Sequence, residues 1–171
     1  MIKIAINAGH TLSGAGTGAN GYINESKETR KIVKALIPIL KKKGFAVVDA
    51  TVDTALTQNT YLRRAVDIAN NSKADLFLSI HFNAGGGKGC ECYTWKGKKV
   101  KQAVNINEEL KSEGFRNRGI KDGSKLYVIK KTNMTAILLE VCFVDSKTDY
   151  ELYKRLGAET IAHAIADGIA R

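Results

Sequence analysis

The segment Asp75-Leu76-Phe77-Leu78-Ser79-Ile80-His81-Phe82 decides the fold. It is almost entirely apolar, as expected of a strand in the middle of a sheet that is covered on both faces. Ala136–Phe143 is a second continuously apolar segment and predicts another central strand. Outward from these two segments, strand-like and helix-like patterns alternate along the chain. That alternation is typical of a three-layer α/β domain.

Hydrophobic periodicity and turn residues predict the remaining elements. A glycine-rich loop, Ala8–Ile23, follows the first strand, and Pro38 is expected to kink the first helix or to remove one of its backbone hydrogen bonds. Strands are predicted at Ile2–Asn7, Phe45–Ala50, Cys90–Trp95 and Leu126–Ile129, and helices at Glu25–Lys43, Thr57–Asn71, Val100–Glu113 and from an N-cap at Asp145-Ser146 to the C-terminus.

Length and composition favour one globular domain over residues 1–171. The chain has 171 residues, of which 44% are hydrophobic and 26% are charged, so it can bury a core. The three cysteines are an odd number, which argues against a disulfide framework. The net charge of +10 favours anionic partners. Because no nucleic-acid-binding motif accompanies the basic segments, we expect no nucleic-acid partner.

The N-terminal sequence runs directly from Met1 into the first predicted strand. It shows no basic segment followed by an apolar one, and no apolar segment is long enough to cross a bilayer. We therefore expect synthesis in the cytoplasm without a signal peptide, and no insertion into a membrane.

Four residues that can carry chemistry lie at the ends of predicted elements. His10 follows the first strand, His81 ends the central strand, and Glu140 lies near the end of the second apolar strand. Glu25 begins the first helix beside the glycine-rich loop. Because sites in open α/β sheets form beyond the carboxyl ends of the strands, these four side chains can meet at one edge of the sheet.

Two histidines and one glutamate form the ligand set of a catalytic zinc site, since a fourth position stays open for water. Zinc lowers the pKa of water and polarises a carbonyl, while a further carboxylate such as Glu140 can move the proton. Each residue also has a structural explanation: a hydrogen-bonded histidine, a first-turn glutamate at Glu25, or half of a buried ion pair at Glu140. The spacing does not resemble H-E-x-x-H, so the residues alone leave both interpretations open.

Five segments, in order along the chain, resemble the zinc N-acetylmuramoyl-L-alanine amidases, especially the catalytic domains of phage endolysins and bacterial autolysins. The segments are Ile6-Asn7-Ala8-Gly9-His10, Asn24-Glu25, Ser79-Ile80-His81-Phe82-Asn83-Ala84, Asn117-Arg118-Gly119-Ile120-Lys121 and Leu139-Glu140-Val141-Cys142-Phe143-Val144. The resemblance extends from the first strand to the last helix, and it is specific because all five segments occur together.

The resemblance implies a mixed, mostly parallel central sheet flanked by helices. It also implies zinc bound by His10, Glu25 and His81, with Glu140 as the catalytic acid and base. The bond cleaved would join the lactyl group of N-acetylmuramic acid to the L-alanine of the stem peptide. By position, Asn83 and Arg118 are expected to contact this substrate, whereas His163, on the C-terminal helix, is interpreted as structural.

The chain departs from the family pattern in two places. Family members often carry a separate wall-binding domain, which is absent from this sequence. After Glu140 the family often has an asparagine, where this chain reads Val144-Asp145-Ser146. We interpret that change as helix capping. We expect a monomer that is released from the bacterial cytoplasm, acts on peptidoglycan and attracts anionic wall polymers through its basic surface.

Two other functions remain as alternatives. The first is a zinc peptidase that acts on peptidoglycan stem peptides with the same metal site and a different groove. The second is a non-catalytic cationic wall-binding module, which the net charge of +10 would suit. Such a module has no use for a buried Glu140 beside two histidines at strand ends.

Overall fold

A computed structural model describes Met1–Arg171 and contains one six-stranded sheet and five α-helices. The strands are β1 (Lys3–Ala8), β2 (Ser13–Gly14), β3 (Ala46–Asp49), β4 (Thr54–Ala55), β5 (Leu76–Asn83), β6 (Cys90–Thr94), β7 (Asn117–Asp122) and β8 (Thr135–Phe143). The helices are α1 (Glu25–Lys42), α2 (Gln58–Asn71), α3 (Lys101–Ser112), α4 (Tyr127–Lys131) and α5 (Lys147–Ala170).

The main sheet has the strand order β3-β1-β5-β8-β6-β7, and β2 and β4 form a separate short pair. Strands β3, β1, β5 and β8 are parallel, whereas β6 is antiparallel to β8 and parallel to β7. The two apolar segments form β5 and β8, which are adjacent in the centre. The sheet is therefore mixed and mostly parallel, which confirms the expectation from sequence.

Helices cover both faces of the sheet, and alternate residues of each strand face opposite layers. On one face, Ile137 and Leu139 of β8 pack in a core cluster with side chains of α1, α3 and α5. On the other face, Ala136 and Leu138 pack in a smaller cluster with side chains of α2 and α4. The predicted three-layer arrangement is confirmed.

One strand prediction is wrong and one strand of the main sheet was missed. Residues Tyr127–Lys131 form the short helix α4, so Leu126–Ile129 is not a strand. Buried Val128 and Ile129 explain the apolar pattern, because a short apolar run does not distinguish a strand from one turn of buried helix. The missed strand is β7, an edge strand in which Ile120 is the only apolar residue.

The helix ends agree with the sequence signals. The side chain of Asn24 caps α1 by accepting a hydrogen bond from the backbone N–H of Lys27, at 3.1 Å. Ser146 caps α5 in the same way through the N–H of Asp149, at 3.2 Å, which confirms the predicted N-cap. Helix α1 continues across Pro38. In α5, Gly157 has a φ of 77°, which divides the helix into two segments. No helix in the protein has both the length and the apolar character required to cross a membrane.

Candidate metal centre and active site

His10 lies in the loop directly after β1 and has a backbone φ of 66°, in the left-handed region. Two neighbours hold this conformation. The backbone N–H of His10 donates to the hydroxyl of Tyr61 at 2.8 Å, and its carbonyl accepts from Nη2 of Arg30 at 2.9 Å. Ring atom Nδ1 lies 3.0 Å from the carbonyl oxygen of Gly16. That contact orients the imidazole so that Nε2 faces Glu25.

Glu25, the first residue of α1, is buried, and both of its carboxylate oxygens are held by backbone groups. Oε2 accepts a hydrogen bond from the N–H of Ala19 at 2.8 Å, and Oε1 accepts one from the N–H of Phe82 at 3.0 Å. Oε1 also lies 3.2 Å from Nε2 of His10 and 3.1 Å from Nδ1 of His81. The carboxylate therefore joins the loop after β1 to the end of β5.

The donor set of His10, Glu25 and His81 fits a metal ion, because one ligand atom from each lies within 4.8 Å of the others. On each histidine, the ring nitrogen that faces away from Glu25 contacts an oxygen atom. For His10 the contact is the carbonyl of Gly16, and for His81 it is Oγ of Ser79, at 3.0 Å. Outer contacts of this kind orient metal-binding imidazoles and fix which nitrogen faces the ion.

Two glycines make room for these three side chains. A Cβ atom on Gly9 would collide with the imidazole of His81. A Cβ atom on Gly18 would lie 2.8 Å from Oε2 of Glu25 and 2.8 Å from the ring of His10, and Gly18 also has a φ of 79°. The glycine-rich loop therefore serves close packing around the candidate metal centre.

The three groups shift one another's pKa values. Burial alone would raise the pKa of Glu25, but hydrogen bonds and charge interactions with His10 and His81 hold it far below its usual value of 4.5. Burial lowers the pKa of His10, yet the hydrogen bond and the charge of Glu25 outweigh burial and leave it raised above 6.5. For His81, burial dominates and its pKa is lowered. The cluster therefore presents the carboxylate of Glu25 to the rings of His10 and His81.

Glu140 lies on β8 as the register partner of His81 on β5. It continues the alternation of Ala136 and Leu138, so its side chain faces the α2 and α4 layer, on the same side as His81. Its Oε2 is buried and has no hydrogen-bond partner in the protein. Burial, and then the charges of Glu25 and Glu91, raise its pKa well above 4.5. A buried carboxyl group without partners is typical of a functional position.

The two residues expected to contact substrate lie beside a carboxylate that the sequence analysis missed. Nδ2 of Asn83 donates to Oε1 of Glu91 at 2.8 Å, and Nε of Arg118 donates to Oε2 at 2.8 Å. Glu91 lies on β6 as the register partner of Glu140. A charged residue between buried Cys90 and Cys92 was a signal that could have identified it. His163 is exposed on α5 and contacts none of these residues.

A family model described as N-acetylmuramoyl-L-alanine amidase matches residues 4–171. The chain belongs to this amidase family. The family assignment agrees with the five-segment resemblance, and it explains why one sheet edge gathers two histidines and two glutamates.

Individual amidases and related proteins resemble the chain over almost its whole length. An uncharacterised 38.4 kDa protein of Clostridium perfringens is 41% identical over 186 residues, which cover 99% of this chain and 51% of the relative. The N-acetylmuramoyl-L-alanine amidase CwlM of Bacillus licheniformis is 36% identical, with 100% of this chain and 68% of that amidase covered. The chain spans about half the length of the Clostridium perfringens relatives.

A solved endolysin structure has nearly the same fold. The catalytic domain of the CD27L endolysin, described as targeting Clostridia Difficile, superposes with a TM-score of 0.91 at 32% identity. The superposition covers 99% of this chain and 97% of that domain. The arrangement of layers and strands is therefore that of this endolysin catalytic domain.

Proposed function

We propose that the protein is a zinc-dependent N-acetylmuramoyl-L-alanine amidase that hydrolyses the bond between N-acetylmuramic acid and L-alanine in peptidoglycan. One observation carries the proposal: the ligand atoms of His10, Glu25 and His81 lie within 4.8 Å of one another, in a sheet edge that also holds the unpartnered carboxyl group of Glu140. Membership of the amidase family supports the substrate and the bond.

The metal would be held by one ring nitrogen of His10, one ring nitrogen of His81 and the carboxylate of Glu25. Two histidines and one carboxylate form a ligand set found at catalytic zinc sites, where the ion polarises a carbonyl and makes water more acidic. The outer contacts to Gly16 and Ser79 fix both rings, so the protein pre-organises the donor atoms.

Glu140 is the residue we assign to proton transfer. A carboxylate in this place accepts a proton from the attacking water and delivers it to the leaving nitrogen of L-alanine. Burial raises its pKa, and a raised pKa makes the carboxylate a stronger base towards the proton of water. Burial and the lack of protein partners keep the group free for this exchange.

Asn83 and Arg118 are assigned to substrate binding on the side of the site formed by β6 and β7.

The wider role follows from the same proposal: the protein is made in the bacterial cytoplasm and acts on the cell wall after release. The domain would act as a monomer, because one chain supplies the whole candidate donor set.

Product analysis on purified muropeptides tests the assignment. An amidase releases intact stem peptides and leaves peptide-free glycan, whereas a zinc peptidase shortens the peptides and leaves L-alanine attached to the sugar. Mass spectrometry of the products distinguishes the two, and the Glu140→Gln variant serves as the matched control for contaminating activity. Shortened peptides in the wild-type reaction would contradict the amidase assignment.

A further inference from the structure

Glu91 is a buried carboxylate next to the site, with an exposed side-chain fraction of 3%. Each of its hydrogen-bond and ion-pair contacts is with a donor or a cation. Oε1 accepts hydrogen bonds from Nδ2 of Asn83 at 2.8 Å and from the hydroxyl of Tyr93 at 3.0 Å. Oε2 accepts from Nε of Arg118 at 2.8 Å and lies 3.9 Å from Nζ of Lys121. Such complete pairing is what allows a carboxylate to remain buried.

The strand register places Glu91 in one row across the sheet with His81 and Glu140. His81 on β5 pairs with Glu140 on β8, and Glu140 pairs with Glu91 on β6. Between the paired residues Cys90–Asn117 and Cys92–Ile120, the register of β6 and β7 shifts, so that Arg118 and Gly119 both lie opposite Glu91. A bulge of this type redirects side chains and often occurs next to active sites.

The guanidinium group of Arg118 is held in a fixed plane but is only partly used. Nε is bound to Glu91, and the group lies over the ring of Phe143 at 5.0 Å. Its two terminal amino groups have no hydrogen-bond partner in the protein, and the exposed fraction of the side chain is 29%. Two terminal amino groups on a rigid guanidinium match the two oxygens of a carboxylate.

We propose that Glu91 is a positioning residue that holds Arg118 in the orientation needed to bind a carboxylate of the stem peptide. The inference rests on the proposed function, because the stem peptide supplies the ligand. Glu91 makes no hydrogen bond or ion pair with His10, Glu25 or His81, and it acts through Arg118 and Asn83. The enzyme would consequently prefer stem peptides whose side-chain or α-carboxyl groups are free over those in which these groups are amidated.

The charge on Glu91, and not only its shape, is required for this role. The substitution Glu91→Gln preserves the volume of the side chain, but one acceptor oxygen becomes an N–H₂ donor. Since both oxygens of Glu91 accept hydrogen bonds, the new amide would face a donor on one side whichever way it turns. Arg118 would then lose its fixed orientation, and its terminal amino groups would bind a carboxylate less tightly.

Calorimetric binding of the released stem peptide tests the inference without hydrolysis, since this product has no scissile bond. Two peptides are compared, one with free carboxyl groups and one with the same groups amidated. Wild type should bind the free form about tenfold more tightly. Glu91→Gln and Arg118→Lys should bind both forms with nearly equal affinity while zinc content stays unchanged. Arg118 is partly exposed and lysine keeps its positive charge, so Arg118→Lys tests the fixed guanidinium even if Glu91→Gln fails to fold.

The matched control is Glu108→Gln. Glu108 accepts a hydrogen bond from Asn117, the residue before Arg118, but lies exposed on α3. This variant should keep the preference for the free peptide. Equal affinity of wild type for both peptides, or an unchanged preference in Glu91→Gln and Arg118→Lys, would overturn the inference. Failure of the proposed function shows itself separately, as wild-type protein that releases no stem peptide from muropeptides.

Discussion

His81 and Glu140 are register partners on the adjacent parallel strands β5 and β8, so backbone hydrogen bonds fix their separation. Paired residues of neighbouring strands project from the same face, with the strands about 4.8 Å apart. The proposed metal ligand and the proposed proton carrier are thus placed by the two central strands of the sheet. His10 and Glu25, by contrast, reach the same edge from a glycine-rich loop and a helix N-terminus.

The first prediction concerns metal content. We expect one zinc per chain, bound at the single cluster of His10, Glu25 and His81, and loss of wall lysis on treatment with a chelator. His81→Gln should lose the zinc, whereas His163→Gln, an exposed histidine on α5, should retain both zinc and activity. Elemental analysis of purified active protein measures this. Active preparations with far less than one zinc per chain would contradict the prediction.

Replacement of the proposed proton carrier should reduce hydrolysis and leave zinc binding unchanged. Glu140→Gln keeps the volume of the side chain but cannot accept a proton, so hydrolysis should fall on the order of a hundredfold or more. Zinc content should be unchanged, since Glu140 is not part of the donor cluster. Initial rates on purified walls measure the effect. Rates within a few-fold of wild type would remove Glu140 from the mechanism.

Gly18 offers a test of the close packing around the metal centre. Alanine at this position should weaken zinc binding, because its Cβ would press on Glu25 and His10. Gly44→Ala is the control, since Gly44 also has a positive φ but has no atom within 4 Å of an added Cβ. Both variants should lose roughly 1–2 kcal/mol of stability from the left-handed backbone. Chelator competition should show weaker zinc binding for Gly18→Ala alone; equal zinc affinity in the two variants would argue against the packing role.

The pH dependence of zinc affinity should have its midpoint above the usual pKa of a histidine side chain. Zinc binds neutral imidazole, so a proton on His10 competes with the metal. Because the net effect of Glu25 is to raise the pKa of His10 above 6.5, affinity should be full above that raised pKa and decline as pH falls through it. Competition with a chromophoric chelator from about pH 5.5 to about pH 8 measures the midpoint. A midpoint below 6.5 would contradict the prediction.

The candidate site was largely predictable from sequence because its residues lie at the ends of strongly patterned elements. Continuous apolar sequence predicts the strands β5 and β8, and a histidine or glutamate near the carboxyl end of such a strand is easily recognised. The five-segment resemblance then grouped the residues. Their roles in metal binding, substrate contact and catalysis stay predictions until the experiments above are done.

The parts that the sequence did not reveal depend on contacts between distant segments. The strand β7 is a polar edge strand, so it lacks the apolar alternation that identifies a strand. The network around Glu91 depends on the pairing of β6 with β8 and on the bulge opposite β7. Neither the pairing nor the bulge leaves a local pattern, which is why Asn83 and Arg118 were predicted without the carboxylate that joins them.

Lysis by this domain should need no added targeting domain and should weaken strongly as salt rises. The net charge is +10, and Gram-positive walls contain phosphate-rich teichoic acids. The exposed lysines of three segments, Lys41–Lys43, Lys96–Lys101 and Lys130-Lys131, lie at the end of the domain opposite the metal centre. The first forms the C-terminus of α1, whose N-terminus carries Glu25, and the others adjoin the end of β6 and the start of β8. Their charge can therefore increase association without altering the chemistry, and salt screens it over about 8 Å at physiological ionic strength.

The measurement is wall lysis against salt concentration for wild type and for a variant with Lys98, Lys99, Lys130 and Lys131 changed to glutamate. The matching arginine variant keeps the charge and should behave as wild type does. Lysis by the glutamate variant should be slower at low salt and less sensitive to added salt, because less long-range attraction remains to be screened. Hydrolysis of small soluble muropeptides should be the same in all three proteins, since the substituted lysines are remote from His10, Glu25 and His81. If lysis by the glutamate variant matches wild type at every salt concentration, these lysines serve solubility alone.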